Sequence, residues 1–122
     1  MDTATNVCTL IVEDDADTCN WIGRLLSRHS YDFVCANTLA EAFERLQDGP
    51  ACVILDLGLP DGNGVEILRH IRKNHLPIKV AVLTGNRDYS TIGTAILLKP
   101  DALLTKPVDA SDLLNWMSAD CC

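Results

Sequence analysis

Five short apolar runs alternate with five stretches of helical periodicity, and this alternation limits the chain to very few folds. The runs cover residues 8–12, 32–36, 52–55, 79–83 and 102–104. Most are continuously apolar instead of alternating, as a strand is when layers cover both its faces. Between them, Cys19, Ile22, Leu25 and Leu26 form a helical stripe after Asp15, a fitting N-cap. Leu39, Ala42, Phe43 and Leu46 form a second stripe. It starts at Thr38, which makes a capping box with Glu41, and Gly49-Pro50 stops it. A third presents Val65, Leu68 and Ile71 and ends before Pro77. The fourth, around 88–97, is the weakest, because Thr91, Gly93 and Thr94 lower its helix propensity. The fifth follows Asp109 with Leu113, Leu114 and Met117.

A strand–helix unit repeated five times with short connections requires right-handed crossovers, and hence a parallel sheet with helices on both faces. The expected class is α/β: a flavodoxin-like, doubly wound, five-stranded parallel sheet with strand order 2-1-3-4-5. At 122 residues the chain has room for one domain, placed at 7–119 with flexible ends at 1–6 and 120–122, and none for an output domain of ordinary size. No apolar run approaches membrane-spanning length, and the polar start lacks the features of a signal peptide, so the expected location is cytoplasmic. A net charge of −7 argues against direct binding of nucleic acid. The six cysteines form no C-x-x-C pair and are not spaced with His29, His70 or His75 as zinc ligands are. Cys8, Cys35 and Cys52 fall in apolar runs, and the expected state is reduced, structural thiols. Cys121-Cys122 resembles a lipidation tail only superficially and reads as a truncation or an ordinary chain end.

In doubly wound sheets the chemistry gathers at the carboxyl ends of the strands. Those exits read Glu13-Asp14-Asp15, then Asp56, then Thr84, then Lys106. Glu13, Asp14 and Asp56 leave neighbouring strands, so three carboxylates converge within a few ångströms. Like charges that close raise one another's pKa unless a cation compensates, and Mg²⁺ is the economical partner for such oxygen ligands. Helix capping and the helix dipole account for Asp15 and Asp17, but not for Asp56 ending an apolar strand. Taken singly, each signal also has a plain structural reading. Asp56 would be a turn former, Thr84 a hydroxyl bonded to nearby backbone, and Lys106 a solvated charge.

Together they are more specific. Leu10-Ile11-Val12-Glu13-Asp14-Asp15, the string Asp56-Leu57-Gly58-Leu59-Pro60-Asp61-Gly62-Asn63-Gly64 and Leu104-Thr105-Lys106-Pro107 resemble the receiver domains of two-component response regulators. The resemblance spans roughly residues 9–117. It implies that Asp56 accepts a phosphoryl group from a histidine kinase or phosphotransfer protein. It also implies that Mg²⁺ is held by Asp14, Asp56 and the Gly58 carbonyl, with Glu13 orienting metal-bound water. Thr84 and Lys106 would take phosphoryl oxygens, and the Lys106–Pro107 peptide would be cis. Such a domain is a switch for a downstream partner or an output domain, and catalyses only its own phosphorylation and dephosphorylation.

Four residues at three places depart from the family pattern. Leu103 replaces the usual Tyr or Phe three residues before the lysine, and is expected to stay largely buried in both signalling states. Lys99-Pro100 stands where Gly-Ala is common, and Gly85 replaces a frequent Ala. The competing readings are a degenerate receiver that only binds partners and a haloacid-dehalogenase-like phosphatase. The latter needs a second Asp where Gly58 stands. Flavin binding is disfavoured because the first strand exits to acids.

Overall fold

Alternate residues of each apolar run face opposite layers, and this is why the runs show no polar face. The structure, a computed structural model, describes residues 9–85 and 89–120; of the expected flexible ends at 1–6 and 120–122, residues 1–6 and 121–122 lie outside them, and Asp120 is the last residue of the final helix. Strands β1 (Thr9–Val12), β2 (Phe33–Ala36), β3 (Cys52–Asp56), β4 (Lys79–Thr84) and β5 (Ala102–Thr105) form one sheet in the order β2-β1-β3-β4-β5. Every pairing is parallel. The expected fold and strand order are those observed. Leu10, Val12, Val53, Leu55, Val80 and Val82 face one layer, and Ile11, Ile54, Ala81 and Leu83 the other.

Helices cover both layers. On the first side lie α2 (Leu39–Leu46), α3 (Val65–Lys73) and α4 (Tyr89–Leu97), which bury Ala42, Leu46, Leu68, Ile71 and Ala95. On the second lie α1 (Ala16–Arg28) and α5 (Ala110–Asp120), with Ile22, Leu26, Leu113 and Met117 in the core. The caps are those the sequence indicated. Asp15 accepts from the Thr18 amide, Thr38 from the Glu41 amide and Asp109 from the Asp112 amide. One half of the expected capping box differs: the Glu41 carboxylate reaches one residue further back, to the Asn37 amide at 2.8 Å. Among the described residues no helix is long and apolar enough to cross a membrane.

The weak fourth helix forms despite its glycine and threonines, and is followed by a tightly held connection. Lys99 adopts φ +55°, a left-handed conformation that glycine takes more readily. Arg72 of α3 holds it there, donating to the carbonyls of Leu98 and Lys99 and pairing with Asp101 at 3.1 Å.

The cysteines depart from expectation. Cys19 of α1 and Cys35 of β2 form a disulfide in place of two reduced thiols, and Cys52 is also disulfide-bonded. Cys19 points inward on the α1 stripe toward the open edge of the sheet, where Cys35 faces it, and residue spacing alone did not show that pairing. A bridge closing a 16-residue separation stabilises a fold by about 3 kcal/mol when formed. Denaturant titration with and without reductant is therefore expected to show a loss of that order on reduction. Equal stability in both conditions would contradict a contribution from the bridge.

Candidate functional site

The site is assembled by strand ends. Glu13 follows β1 directly and is 1% exposed. Its backbone amide donates to the Ala36 carbonyl at 3.0 Å, prolonging the β1–β2 ladder by one residue. Asp56 is the last residue of β3, 9% exposed, and Asp14 lies in solvent at the mouth. Each of the three acids offers an oxygen, and these oxygens lie within 4.8 Å of one another. Lys106, just past β5, extends its ammonium inward to Glu13 Oε1 at 2.7 Å and Asp56 Oδ2 at 3.4 Å.

One ammonium does not offset three carboxylates. At that spacing each carboxylate pair repels by roughly 3–4 kcal/mol for an effective dielectric of about 20. A charged hydrogen bond returns only about 1.5–3 kcal/mol. Protonation of Glu13 relieves the imbalance: burial, reinforced by the Asp56 charge, pushes its pKa up to about 7 despite the Lys106 hydrogen bond. Burial disfavours the Lys106 ammonium, but Glu13 and Asp56 outweigh it and raise its pKa. The donor set, three hard carboxylate oxygens with one acid open to solvent, fits a divalent cation of the Mg²⁺ type.

Thr84 ends β4 one position past Leu83, the register partner of Asp56, and is buried. It pairs with Thr105, and the Lys106 amide donates to the Thr84 carbonyl at 2.8 Å. The Lys106–Pro107 peptide is cis, as the resemblance implied. The Asp56 loop contains an element absent from the strand readings: a small antiparallel hairpin pairing Gly58–Leu59 with Gly62–Asn63. Gly64 closes it by donating to the Leu57 carbonyl at 2.7 Å. A Cβ on Gly64 would stand 2.3 Å from the Asp56 carbonyl oxygen, so only glycine allows the chain to turn so close beneath Asp56.

The profile of the response regulator receiver domain matches residues 9–118. The chain belongs to that family. Among its relatives, the photosynthetic apparatus regulatory protein RegA of Rhodobacter capsulatus is 30% identical over 90% of this chain and 60% of its own length. The response regulator protein PilR of Pseudomonas aeruginosa is 37% identical over 85% of the chain and 24% of its own length. The receiver thus spans only part of the curated relatives it matches. A solved signal receiver domain from Bermanella marisrubri superposes with a TM-score of 0.83 at 29% identity, covering 92% of this chain and 95% of that one. A CheY-like receiver from Methanospirillum hungatei gives 0.78 at 27% identity, covering 90% and 89%.

One expectation for this receiver is corrected. Leu103 is 42% exposed instead of largely buried. It lies on β5, the edge strand, where exposure alternates along Ala102–Thr105 and residue 103 takes the outward phase. Ile96 and Leu97 of α4 are also exposed. Sequence reasoning also passed over two residues beside the acids. Asn37 donates its side-chain amide to the Glu13 carbonyl, and Asp61 accepts from the start of α2. Asp61 is inside the quoted string, but its cross-loop role has no sequence signature.

The Glu13 shift has a definite pH signature. Its folded-state pKa lies above the ordinary value of 4.5, so the native state binds the extra proton and gains stability as pH falls from about 7 toward 4.5. Asp15 and Asp61 are shifted down, foremost by the Thr18 hydroxyl and the Leu39 amide, so their contributions are lost only at lower pH, below the ordinary 3.8. Metal-free receiver is expected to be more stable to denaturant at pH 5.5 than at pH 7.5, and Glu13→Gln to abolish most of the difference. A parent that loses stability as pH falls from 7.5 to 5.5 would contradict this electrostatic account.

Proposed function

We propose that this receiver accepts a phosphoryl group on Asp56 from a phosphohistidine donor with Mg²⁺, and passes the signal on by altered contacts with an output partner or output domain. The observation that carries this reading is the cluster of Glu13, Asp14 and Asp56, two of which, Glu13 and Asp56, meet the inward-turned ammonium of Lys106. In the cell the chain would work in the cytoplasm, opposite a sensor histidine kinase or phosphotransfer protein.

Each residue has a role that its placement supports. An Asp56 carboxylate oxygen forms the bond to phosphorus as the donor's phosphorus–nitrogen bond breaks. Asp14, Asp56 and the Gly58 carbonyl would hold the metal, and Glu13 would orient its water. The cation supplies positive charge opposite the oxygens of the transferring group. Lys106 is already tethered at the site, and its release from Asp56 toward a phosphoryl oxygen needs only a small movement. Thr84 ends the neighbouring strand and would offer its hydroxyl to a phosphoryl oxygen. Phosphoryl transfer depends mainly on positioning and charge, so so small a set of groups is sufficient. An open groove lined by Asp17, Trp21, Arg24, Lys106, Pro107 and Val108 runs beside the site and leaves a donor room to approach.

Incubation with acetyl phosphate and Mg²⁺, followed by intact mass measurement, tests the assignment. The parent is expected to gain one phosphoryl group, lost on mild base treatment, whereas Asp56→Asn gains none. An equal, stable adduct on Asp56→Asn would remove Asp56 from the acceptor role.

A further inference from the structure

The hairpin that follows Asp56 is fastened at its far end to a different part of the molecule. Its turn residue Asp61 directs both carboxylate oxygens to the start of α2. Oδ1 accepts from the Leu39 amide at 2.6 Å and Oδ2 from the Ala40 amide at 3.1 Å. Amides in a first turn have no partner within their own helix, and a negative charge is favoured there. Yet α2 already has its own cap, because the Thr38 hydroxyl accepts from the Glu41 amide at 3.1 Å. Asp61 is therefore not required to start α2, and the bond serves the hairpin as much as the helix. Packing agrees: a Cβ on Gly62 would stand 2.8 Å from Leu39 Cδ2, so the hairpin lies directly against that residue.

The same turn is tied to the other acidic loop. Asn37 donates its side-chain amide to the Glu13 carbonyl at 2.9 Å, and its backbone amide donates to Glu41 Oε1 at 2.8 Å. One helix start thus holds the Glu13–Asp14 loop through Asn37 and the Gly58 hairpin through Asp61.

We infer that Asp61 and Asn37 are positioning residues of the cation site, acting through the first turn of α2 to fix the Gly58 backbone relative to Glu13 and Asp14. This rests on the Mg²⁺ reading above. Mg²⁺ demands near-octahedral oxygen geometry at about 2.0–2.1 Å and tolerates little drift in its ligands. A two-stranded hairpin alone is marginal in water. The inner end of this one is held by the Gly64 amide on the Leu57 carbonyl, and the outer end by the two Asp61 hydrogen bonds together with the packing of Gly62 against Leu39 and of the partly buried Leu59 against the core. Without Asp61 the hairpin pivots about Leu57 and Gly64, and Gly58 loses its fixed distance to the acids.

The test compares Mg²⁺ dissociation constants by calorimetry, and hairpin amide exchange in metal-free protein, for the parent, Asp61→Ala, Asp61→Asn, Asn37→Ala, Thr38→Ala and Asp56→Asn. Asp61→Ala is expected to weaken Mg²⁺ binding about tenfold, as loss of residues that orient metal ligands does. It is also expected to speed exchange of the Gly58 and Leu59 amides. Asp61→Asn, which keeps one acceptor oxygen, recovers part of both, and Asn37→Ala weakens binding in the same direction. Thr38→Ala removes the helix's own cap without touching the hairpin, so it lowers stability and leaves Mg²⁺ affinity near the parent's. Parent-like binding by Asp61→Ala would overturn the inference, as would a loss in Thr38→Ala equal to that in Asp61→Ala. A parent that binds no Mg²⁺, or an Asp56→Asn that binds it equally well, would instead refute the Mg²⁺ reading and the positioning role with it. Hairpin exchange in metal-free Asp61→Ala would still report whether the tether exists.

Discussion

The ion pair between Glu13 and Lys106 joins residues 93 positions apart and is the contact on which the site depends. A carboxylate that is 1% exposed is costly unless paired, and its partner must come from the other side of the sheet. In the order β2-β1-β3-β4-β5, β3 and β4 lie between the two strands, β1 and β5, that carry the members of that pair. Asp56 and Thr84 end those intervening strands, so Lys106 reaches Glu13 across the place where they stand. Sheet order, strand length and the inward turn after Lys106 therefore all serve one bond. Because a single ammonium faces three carboxylates there, the native fold carries an electrostatic deficit at the mouth of the site. A phosphoryl acceptor that uses a divalent cation has a use for such a deficit.

Most of the fold was legible because each layer of the argument agreed with the next. Continuous apolar runs mark strands buried on both faces, and all five lie within a residue or two of their expected ends. Asp15, Thr38 and Asp109 each cap the helix they were expected to start. The small hairpin was hidden because Gly58, Leu59, Gly62 and Asn63 carry no strand periodicity; it exists because glycines permit the turn and α2 receives it. The Cys19–Cys35 bridge was hidden for another reason. An inward thiol on a helix and one on a strand look like ordinary core residues until α1 is laid against β2.

The candidate site was legible to the extent that its residues end strands. Glu13, Asp14, Asp56, Thr84 and Lys106 all lie at exits, where a doubly wound sheet exposes its polar groups. Leu103 was misread because its burial was judged from side-chain chemistry, whereas its outward phase on an edge strand decides it. Asn37 and Asp61 stayed silent because their partners are backbone groups on other loops, and such contacts have no fixed sequence spacing.

Thermal and denaturant stability with and without Mg²⁺, in the parent and in Asp14→Asn, tests the central electrostatic claim most directly. Asp14 is exposed, so its replacement changes the charge of the cluster without disturbing the core. A cation that binds only the native state at a hundred times its dissociation constant stabilises by about 2.7 kcal/mol. The account predicts that gain for the parent, a metal-free Asp14→Asn at least as stable as the metal-free parent, and a much smaller gain for the variant. An Asp14→Asn protein that keeps the parent's full Mg²⁺ stabilisation would contradict it.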